Sequence, residues 1–494
     1  MMKIISRQST LAKIQARLVA DKINAKVDDF KFELITKETS GDIDLTTPLH
    51  QMPDAGVFTN DIREELLNLN ADIAVHSWKD LPVEMLEGTE IFSTIEREDP
   101  RDLLFFKSTS LSKKNITIFT SSPRRKENLS NFLPFAFPWT PEEITFKDIR
   151  GNIQTRIRKF YNSDEDGLVI AFAALKRLLE APEFVDEESD LLAILKKFKW
   201  MLLPLSENPS APAQGALAIE VTSSNESVKN TLKKIKDEDV FETVNTERQI
   251  LKKYGGGCHQ KIGVTAINTS KGQMIYLKGE TEQGLKLSKT YFKPKLKYQN
   301  EIKEVSSYFP LEDSPSLYER IPFSEDKIKL SKIENSGIFI SRGNALENIN
   351  NISESNLIWT SGIETWKKIA KKGVWVNGSS DSLGEKENPP IEIFDEINWY
   401  KLSHKDAEED QLSLISTYEL IPKEMPDNIE KNSHFYWMSG SSFKLVFDKF
   451  PSIESANHSC GMGKTFDEIN QLIPGKVYPY QNYQDWLEKV KLAK

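Results

Sequence analysis

The pattern that most restricts this chain is an apolar strand that runs into a polar turn and opens a helix, repeated from the first residues onward. Ile116 to Thr120 reads as a strand leading through Ser121, Ser122 and Pro123 into a helix. Pro123 suits the first helical turn, where its missing N–H is no loss. Leu168 to Ala171 is another strand, followed by a helix from about Ala173 to Glu180. Near the start, Leu11, Ile14, Leu18 and Val19 keep helical spacing just after Ser9 and Thr10, while Phe30, Phe32 and Leu34 alternate with polar residues as a half-buried strand does. Such alternation builds α/β domains with largely parallel sheets, whose ligands gather where strands end and helices begin. At 494 residues and roughly 150 residues per domain, about three or more domains are expected.

Further along the pattern changes. From about Val228 a helix gives way to Gly255, Gly256 and Gly257 and then to hairpin strands through Phe292, which predicts a smaller α+β unit. Residues 311–334 are polar and contain Pro315 and Pro322, and read as a linker. Beyond them lies an internal echo. Trp359-Thr360-Ser361-Gly362 is matched by Trp437-Met438-Ser439-Gly440, each ending an apolar strand and opening a helix, and Asn377-Gly378 and Cys460-Gly461 follow at similar places. Two related α/β lobes are expected there.

Several function classes are disfavoured. Met1 to Ala20 carries Lys3, Arg7, Lys13 and Arg17, unlike a signal peptide, and Leu191 to Leu205 is broken by Lys196, Lys197 and Lys199. No segment has the roughly 18 to 20 apolar residues of a membrane span, so a cytoplasmic protein without membrane contact is expected. Two cysteines and six scattered histidines build neither a disulfide scaffold nor a zinc module, and no metal site is expected. A net charge of −9 argues against a nucleic-acid partner but leaves room for a local basic cleft. Gly463-Lys464-Thr465 resembles the end of a phosphate-binding loop, yet His458 occupies the position of the required glycine.

Three features can carry chemistry. Arginines recur at strand-to-helix turns: Arg7 before Ser9, Arg124 and Arg125 after Ser121 and Ser122, Arg150 before Gly151 and Asn152, then Arg156 and Arg177. Guanidinium forks beside helix N-termini suit carboxylates or phosphates, and together they describe a cleft for a polyanion, although each alone could be an ordinary surface charge or a salt-bridge partner. In Ala74 to Pro82 an apolar strand runs into His76, Ser77, Trp78, Lys79 and Asp80. Asp80 there could stabilise a cationic intermediate or shuttle a proton, or simply cap a turn. Cys258 follows three glycines, which leave its thiol uncrowded for covalent attachment; a buried apolar cysteine is the plainer reading.

In that order, the motifs Ser6-Arg7-Gln8-Ser9-Thr10-Leu11-Ala12, His76 to Pro82, Arg97-Glu98-Asp99-Pro100-Arg101-Asp102, Thr120 to Arg125, Arg150-Gly151-Asn152-Ile153-Gln154-Thr155-Arg156, Leu175-Lys176-Arg177-Leu178, Gln214-Gly215-Ala216 and Gly256-Gly257-Cys258 resemble those of hydroxymethylbilane synthase (porphobilinogen deaminase) over residues 3 to about 310. The resemblance implies two periplasmic-binding-protein-like α/β lobes, residues 1–95 completed by about 200–222, and 96–199. A small α+β domain, 223–310, would carry the cofactor cysteine. It implies one dipyrromethane, covalently held by Cys258, on which four porphobilinogen units are joined head to tail. Each would lose ammonia to give an electrophilic azafulvene. Asp80 would be catalytic; Ser9, Lys79, Thr120, Ser122, Arg124, Arg125 and Arg156 would contact the cofactor, and Arg7, Ser77, Arg150, Arg177, Gln214 and Phe58 the substrate. Gln51 and Ala55 stand where lysines are frequent, Pro53-Asp54 replaces a glycine pair, and Ala174 replaces a glycine. A monomer is expected.

Residues 335–494 weakly resemble uroporphyrinogen-III synthase, through the paired strand, Ser-Gly, helix lobes, the Thr417-Tyr418-Glu419 strand end and Gly461. That resemblance implies a two-lobed α/β segment, either a second enzyme or an inactive docking module, with Tyr418 and Thr465 as candidate hydroxyl donors, a structural role being the plainer reading of each. Removing residues after about 320 is expected to spare bilane formation. Paired α/β lobes around an anion cleft would equally suit a solute-binding protein, against which the absent export signal counts.

Overall fold

The computed structural model describes residues 1–39, 59–84, 87–181, 188–256, 260–322, 330–346, 352–383, 397–407 and 412–494. The predicted strand and helix alternation is present, with its polar turns serving as helix caps. Ser9 Oγ accepts from Ala12 N at 3.4 Å at the head of helix Thr10–Asn24. Ser122 does the same for helix Pro123–Ala136, through Arg125 N at 3.4 Å, and Asn152 for helix Ile153–Tyr161, through Thr155 N at 2.8 Å. Each cap satisfies an N–H that has no partner within its helix.

Two five-stranded sheets form the first part. The first runs in the order Phe32–Lys37, Met2–Arg7, Ile73–Ser77, Leu217–Thr222, Thr89–Ser93, and the second in the order Glu143–Lys147, Asn115–Phe119, Gly167–Ala171, Asp102–Lys107, Phe198–Leu202. In each, three parallel strands are followed by an antiparallel one. The central strands Gly167–Ala171 and Leu217–Thr222 are buried at every position, as continuous apolar runs covered on both faces should be. The chain crosses between the sheets twice, through residues 94–101 and 203–216, and the crossings lie side by side. Glu98 N donates to Gly215 O at 3.2 Å, and Arg97 Nε to Gln214 O at 2.9 Å. Gly215 has φ +87° and a Cβ there would lie 2.2 Å from Glu98 O, so only glycine fits. A three-stranded antiparallel sheet, Gly263–Asn268, Gly272–Glu280 and Lys286–Pro294, packs against helix Glu238–Lys252. This is the expected α+β unit.

The last part holds two more sheets. One has six strands, ordered Tyr318–Pro322, Ser413–Pro422, Trp399–His404, Gly337–Ile340, Leu357–Thr360, Gly378–Ser379; the other has four parallel strands, Tyr308–Phe309, His434–Trp437, Asn457–Gly461 and Val477–Tyr480. The echoed motifs occupy equivalent places, Ser361-Gly362 before helix Ile363–Ala370 and Ser439-Gly440 at the head of helix Gly440–Lys449. The stretch 311–334 is more than the predicted linker, because Tyr318–Pro322 pairs antiparallel with Ser413–Pro422. Pro322 at the end of an edge strand costs no ladder bond, which is why a proline-marked stretch can still join the sheet.

This last part is docked on the second sheet. Leu202 N of its edge strand donates to Asn377 O at 2.7 Å, while Trp375 Nε1 and Asn377 Nδ2 donate to Trp200 O at 2.9 and 3.0 Å. A single apolar cluster runs from Leu104, Phe106, Ile118 and Phe132 to Ile338, Ile340, Trp366 and Ile415. Trp366 meets Phe132 edge to face at 5.5 Å and donates to Ala136 O at 3.1 Å. Removing the chain after about residue 320 would therefore open a core and bare a sheet edge. The last part thus shares a core with the second sheet.

Candidate active site

Strand Ile73–Ser77 ends in the short turn Trp78–Asp80. Trp78, 2% exposed, packs with Leu81, Ala213, Ala216 and Val244, and this anchor leaves Lys79 and Asp80 half-buried at the strand's C-terminal end. Ser77 exchanges hydrogen bonds with Gln15 at 2.9 and 3.0 Å. One residue earlier, His76 Nε2 lies 3.0 Å from Glu220, which also takes Arg63 Nε at 2.7 Å and Thr89 Oγ1 at 2.6 Å. Burial would raise the Glu220 carboxyl, but these partners outweigh it and hold it at about 2.

The second sheet supplies a buried hub. Asp102, wholly buried at the first position of its strand, accepts Arg124 Nη2 and Arg125 Nη2 at 2.7 Å each, Gln214 Nε2 at 2.8 Å and Asn208 Nδ2 at 2.9 Å. Burial alone would push this carboxyl up; the two guanidiniums hold it far below the ordinary carboxylate range. Gln214 Oε1 accepts Lys79 Nζ at 3.2 Å, so one amide joins the turn at Asp80 to the hub. Desolvation lowers the Lys79 pKa, with Asp80 opposing and Arg125 adding to it. Arg124 donates further to Asn208 Oδ1 and Pro209 O at 3.2 and 2.7 Å, a guanidinium largely committed to the protein.

Arg156 completes the basic group. Its Nε donates to Gly151 O at 2.7 Å, and burial, reinforced by Arg125 and Arg150 and opposed by Asp80, lowers it to about 10. Asp80, Arg125 and Arg150 therefore each sit within electrostatic reach of Arg156. Thr120 is buried, its Oγ1 accepting from Ser122 N at 3.3 Å, and Ser9 caps its helix. Arg7 lies half-buried at the end of strand Met2–Arg7. Arg177 is bound to the crossing, Nη2 donating to Gly215 O at 2.7 Å, and burial lowers it to about 10 against Glu98 and Glu180. Nε of Arg125 and of Arg177 are buried with no acceptor among the described residues. A buried N–H left unpaired costs about 1–3 kcal/mol, and a carboxylate is an acceptor of the kind a guanidinium N–H fits.

Cys258 and Phe58 lie outside the described residues, as do Gln51, Pro53, Asp54 and Ala55. The approach to Cys258 is described. Gly255 and Gly256 have φ of +99° and +67°, Gln260 Nε2 braces Tyr254 O at 2.6 Å and Gly256 O at 3.2 Å, and a Cβ on Gly256 would lie 3.3 Å from Val83. Arg248 holds Leu81 O at 3.3 Å and also Pro82 O, and Lys252 pairs with Glu84 at 2.9 Å. The glycine turn thus rests on the segment that immediately follows Asp80.

Sequence reasoning missed Asp102, Asn208 and Gln15 as members of the site. Asp102 had a signal, a carboxylate opening the apolar run Leu103 to Phe106, and so did Gln15, 3% exposed on an otherwise apolar helix face. Asn208 had none.

A family model described as porphobilinogen deaminase, dipyromethane cofactor binding domain, matches residues 2–230. The chain is similar to the porphobilinogen deaminase of Caldicellulosiruptor saccharolyticus, 38% identical over 266 residues, covering 53% of this chain and 83% of that one. It is likewise 38% identical over 282 residues to that of Syntrophomonas wolfei, covering 56% and 84%. The probable porphobilinogen deaminase of Saccharolobus islandicus is 34% identical over 291 residues, covering 58% and 90%. Among solved structures, the probable amino-acid ABC transporter extracellular-binding protein of Bacillus subtilis gives a TM-score of 0.26 at 9% identity, over 51% of this chain and 95% of that one, a likeness too slight to add to the topology itself. Identity of 34–38% that spans more than four-fifths of such relatives, on a chain with two crossed α/β lobes, means that the chain belongs to the porphobilinogen deaminase family, whose matched domain binds a dipyrromethane cofactor.

Proposed function

We propose that this protein is a hydroxymethylbilane synthase, taking four porphobilinogen and one water to hydroxymethylbilane and four ammonia. The observation that supports the reading is the packing of the described turn Gly255-Gly256, and of the helix before it, on residues 81–84, the segment that follows Asp80. Cys258 would hold a dipyrromethane through its sulfur, and that group would supply a nucleophilic pyrrole carbon. Arg125, Arg150 and Arg156 bind the acetate and propionate groups, with Lys79, Ser9, Thr120 and Ser122 adding donors and Arg7, Ser77, Arg177, Gln214 and Phe58 contacting substrate. Asp80 sets a carboxylate against the positive charge that develops as ammonia leaves, and takes up the proton released when the new bond forms. Asp102 holds Arg125, one of these arginines, together with Arg124, in place without meeting substrate itself.

Intact-mass measurement on the protein purified from cells able to make the cofactor tests this directly. A dipyrrole-sized increment, lost in Cys258→Ser, is expected; an unmodified wild-type mass would reject the reading.

For the last part, a second activity as uroporphyrinogen-III synthase is favoured over an inactive docking module by one observation. The echoed lobes face each other closely enough for Arg342 Nη2 of one to reach Met438 O of the other at 3.5 Å. The intact protein then yields the ring-inverted type III isomer, and Tyr418→Phe or Thr465→Ala lowers its share. Type I product alone from the wild type would leave a docking module.

A further inference from the structure

Closure of two lobes on a substrate must bend the segments that join them. Here both joining segments are touched by one turn of the last part, Ser379–Ser382. Ser379 O accepts from Arg101 Nη1 at 3.4 Å, and the Arg101 guanidinium lies 5.6 Å from the Trp359 ring. On the second crossing, Asp381 Oδ2 accepts from Leu205 N at 2.6 Å and Ser206 N at 3.2 Å, and Oδ1 from Ser206 Oγ at 2.5 Å. The neighbouring Glu207 is held between Lys278 and Lys367. Asp381 and Ser382 have φ of +50° and +65°, two successive non-glycine residues in the left-handed region. Such backbone costs on the order of 1–3 kcal/mol per residue and persists only where the surroundings enforce it. Ser382 N donates to Ser361 O at 2.8 Å, which ties the turn to the Ser361-Gly362 strand end.

From Leu205 and Ser206 the backbone itself leads to Asn208 and Pro209, and from there hydrogen bonds continue into the cleft. Asn208 and Pro209 hold Arg124, Arg124 and Asn208 hold Asp102, Asp102 holds Gln214, and Gln214 holds Lys79 beside Asp80. We propose that Asp381 is a positioning residue for the deaminase cleft, fixing the 203–216 crossing and through it the placement of Arg124, Asp102 and Lys79. The last part of the chain is then a built-in brace on the lobe angle of the first, whatever else it does. This rests on the proposed bilane synthase reading, and the test separates the two.

Asp381→Ala removes all three bonds, and Asp381→Asn keeps the volume and one acceptor for a graded effect. Hydrogen exchange on the full-length protein without substrate is expected to rise over 203–216 and over the helix start at 120–128 in Asp381→Ala, and less in Asp381→Asn. Unchanged exchange in both segments would overturn the coupling whether or not the protein turns over porphobilinogen. With porphobilinogen supplied to the holoenzyme, kcat is expected to fall about tenfold or more, as displaced catalytic groups require, and the distribution of enzyme-bound chain lengths read by intact mass is expected to shift. Trp375→Phe, which cuts a different bond of the same interface, should lower stability and leave that distribution alone. An equal shift in Trp375→Phe would reduce Asp381 to one contact among many and refute its positioning role.

Discussion

Asp102→Asn asks most of the site while changing almost no volume. The carboxylate accepts four hydrogen bonds, two from guanidiniums, and is fully buried. Asparagine offers one acceptor oxygen and an NH₂, so a donor must face a donor from Arg124, Arg125, Gln214 or Asn208, and two buried cations lose their counter-charge. Removing one partner of a buried ion pair costs about 3–5 kcal/mol; with two cations stranded here, the upper half of that range is expected. At a urea slope of roughly 2 kcal/mol/M this lowers the midpoint by about 2 M. Equilibrium unfolding followed by tryptophan fluorescence reads it, since Trp200 lies in the same sheet. Arg124→Gln in the Asp102→Asn background removes one stranded cation, so the double variant should be less destabilised than the sum of the single changes, by about 1 kcal/mol or more. A midpoint shift below about 0.5 M, or strict additivity, would refute the assignment of Asp102 as the hub.

Asp80→Ala is expected to keep the fold, because Trp78 rather than Asp80 anchors the turn, and to cut bilane production by about 10²–10⁴-fold; near-normal production would remove its assigned role. Trp366→Ala deletes a fully buried ring shared by two parts of the chain and should cost roughly 3–5 kcal/mol, moving the unfolding of both parts together; a shift confined to residues after 320, read by hydrogen exchange, would contradict the shared core. Glu220 has its carboxyl lowered from an ordinary 4.5 to about 2. Its stabilisation, on the order of 3 kcal/mol, is therefore complete above pH 4.5 and lost as pH falls toward 2. Acid unfolding of wild type and Glu220→Gln should converge over that window, and parallel curves would contradict the network with His76 and Arg63.

The strand ends and their caps were legible because their causes are local. Ser9, Ser122 and Asn152 each accept from an N–H three residues on, and Pro123 sits where its missing donor is harmless. The arginines could be read as a group because the turns that carry them belong to the same ends of parallel strands. The partners of Asp102 could not, since Arg124, Asn208 and Gln214 stand 22, 106 and 112 residues away. Arg124 itself read as a ligand-binding donor, and in the fold most of its reach is taken up by protein acceptors. The expected position of Cys258 lies outside the described residues, and only its glycine approach can be followed.

The amino-acid order by itself determined which segments become strands or helices, where caps and turns fall, and the family fingerprint, because each depends on side chains a few residues apart meeting the same backbone. Only the tertiary structure decided that Tyr318–Pro322 joins a sheet, that Trp366 completes the core of another lobe, and that Asp381 grips Leu205 and Ser206 across 175 and more residues. Hydrogen bonds and apolar contacts of that range leave no periodic trace in a sequence, since what selects them is the shape left over once the local elements have packed.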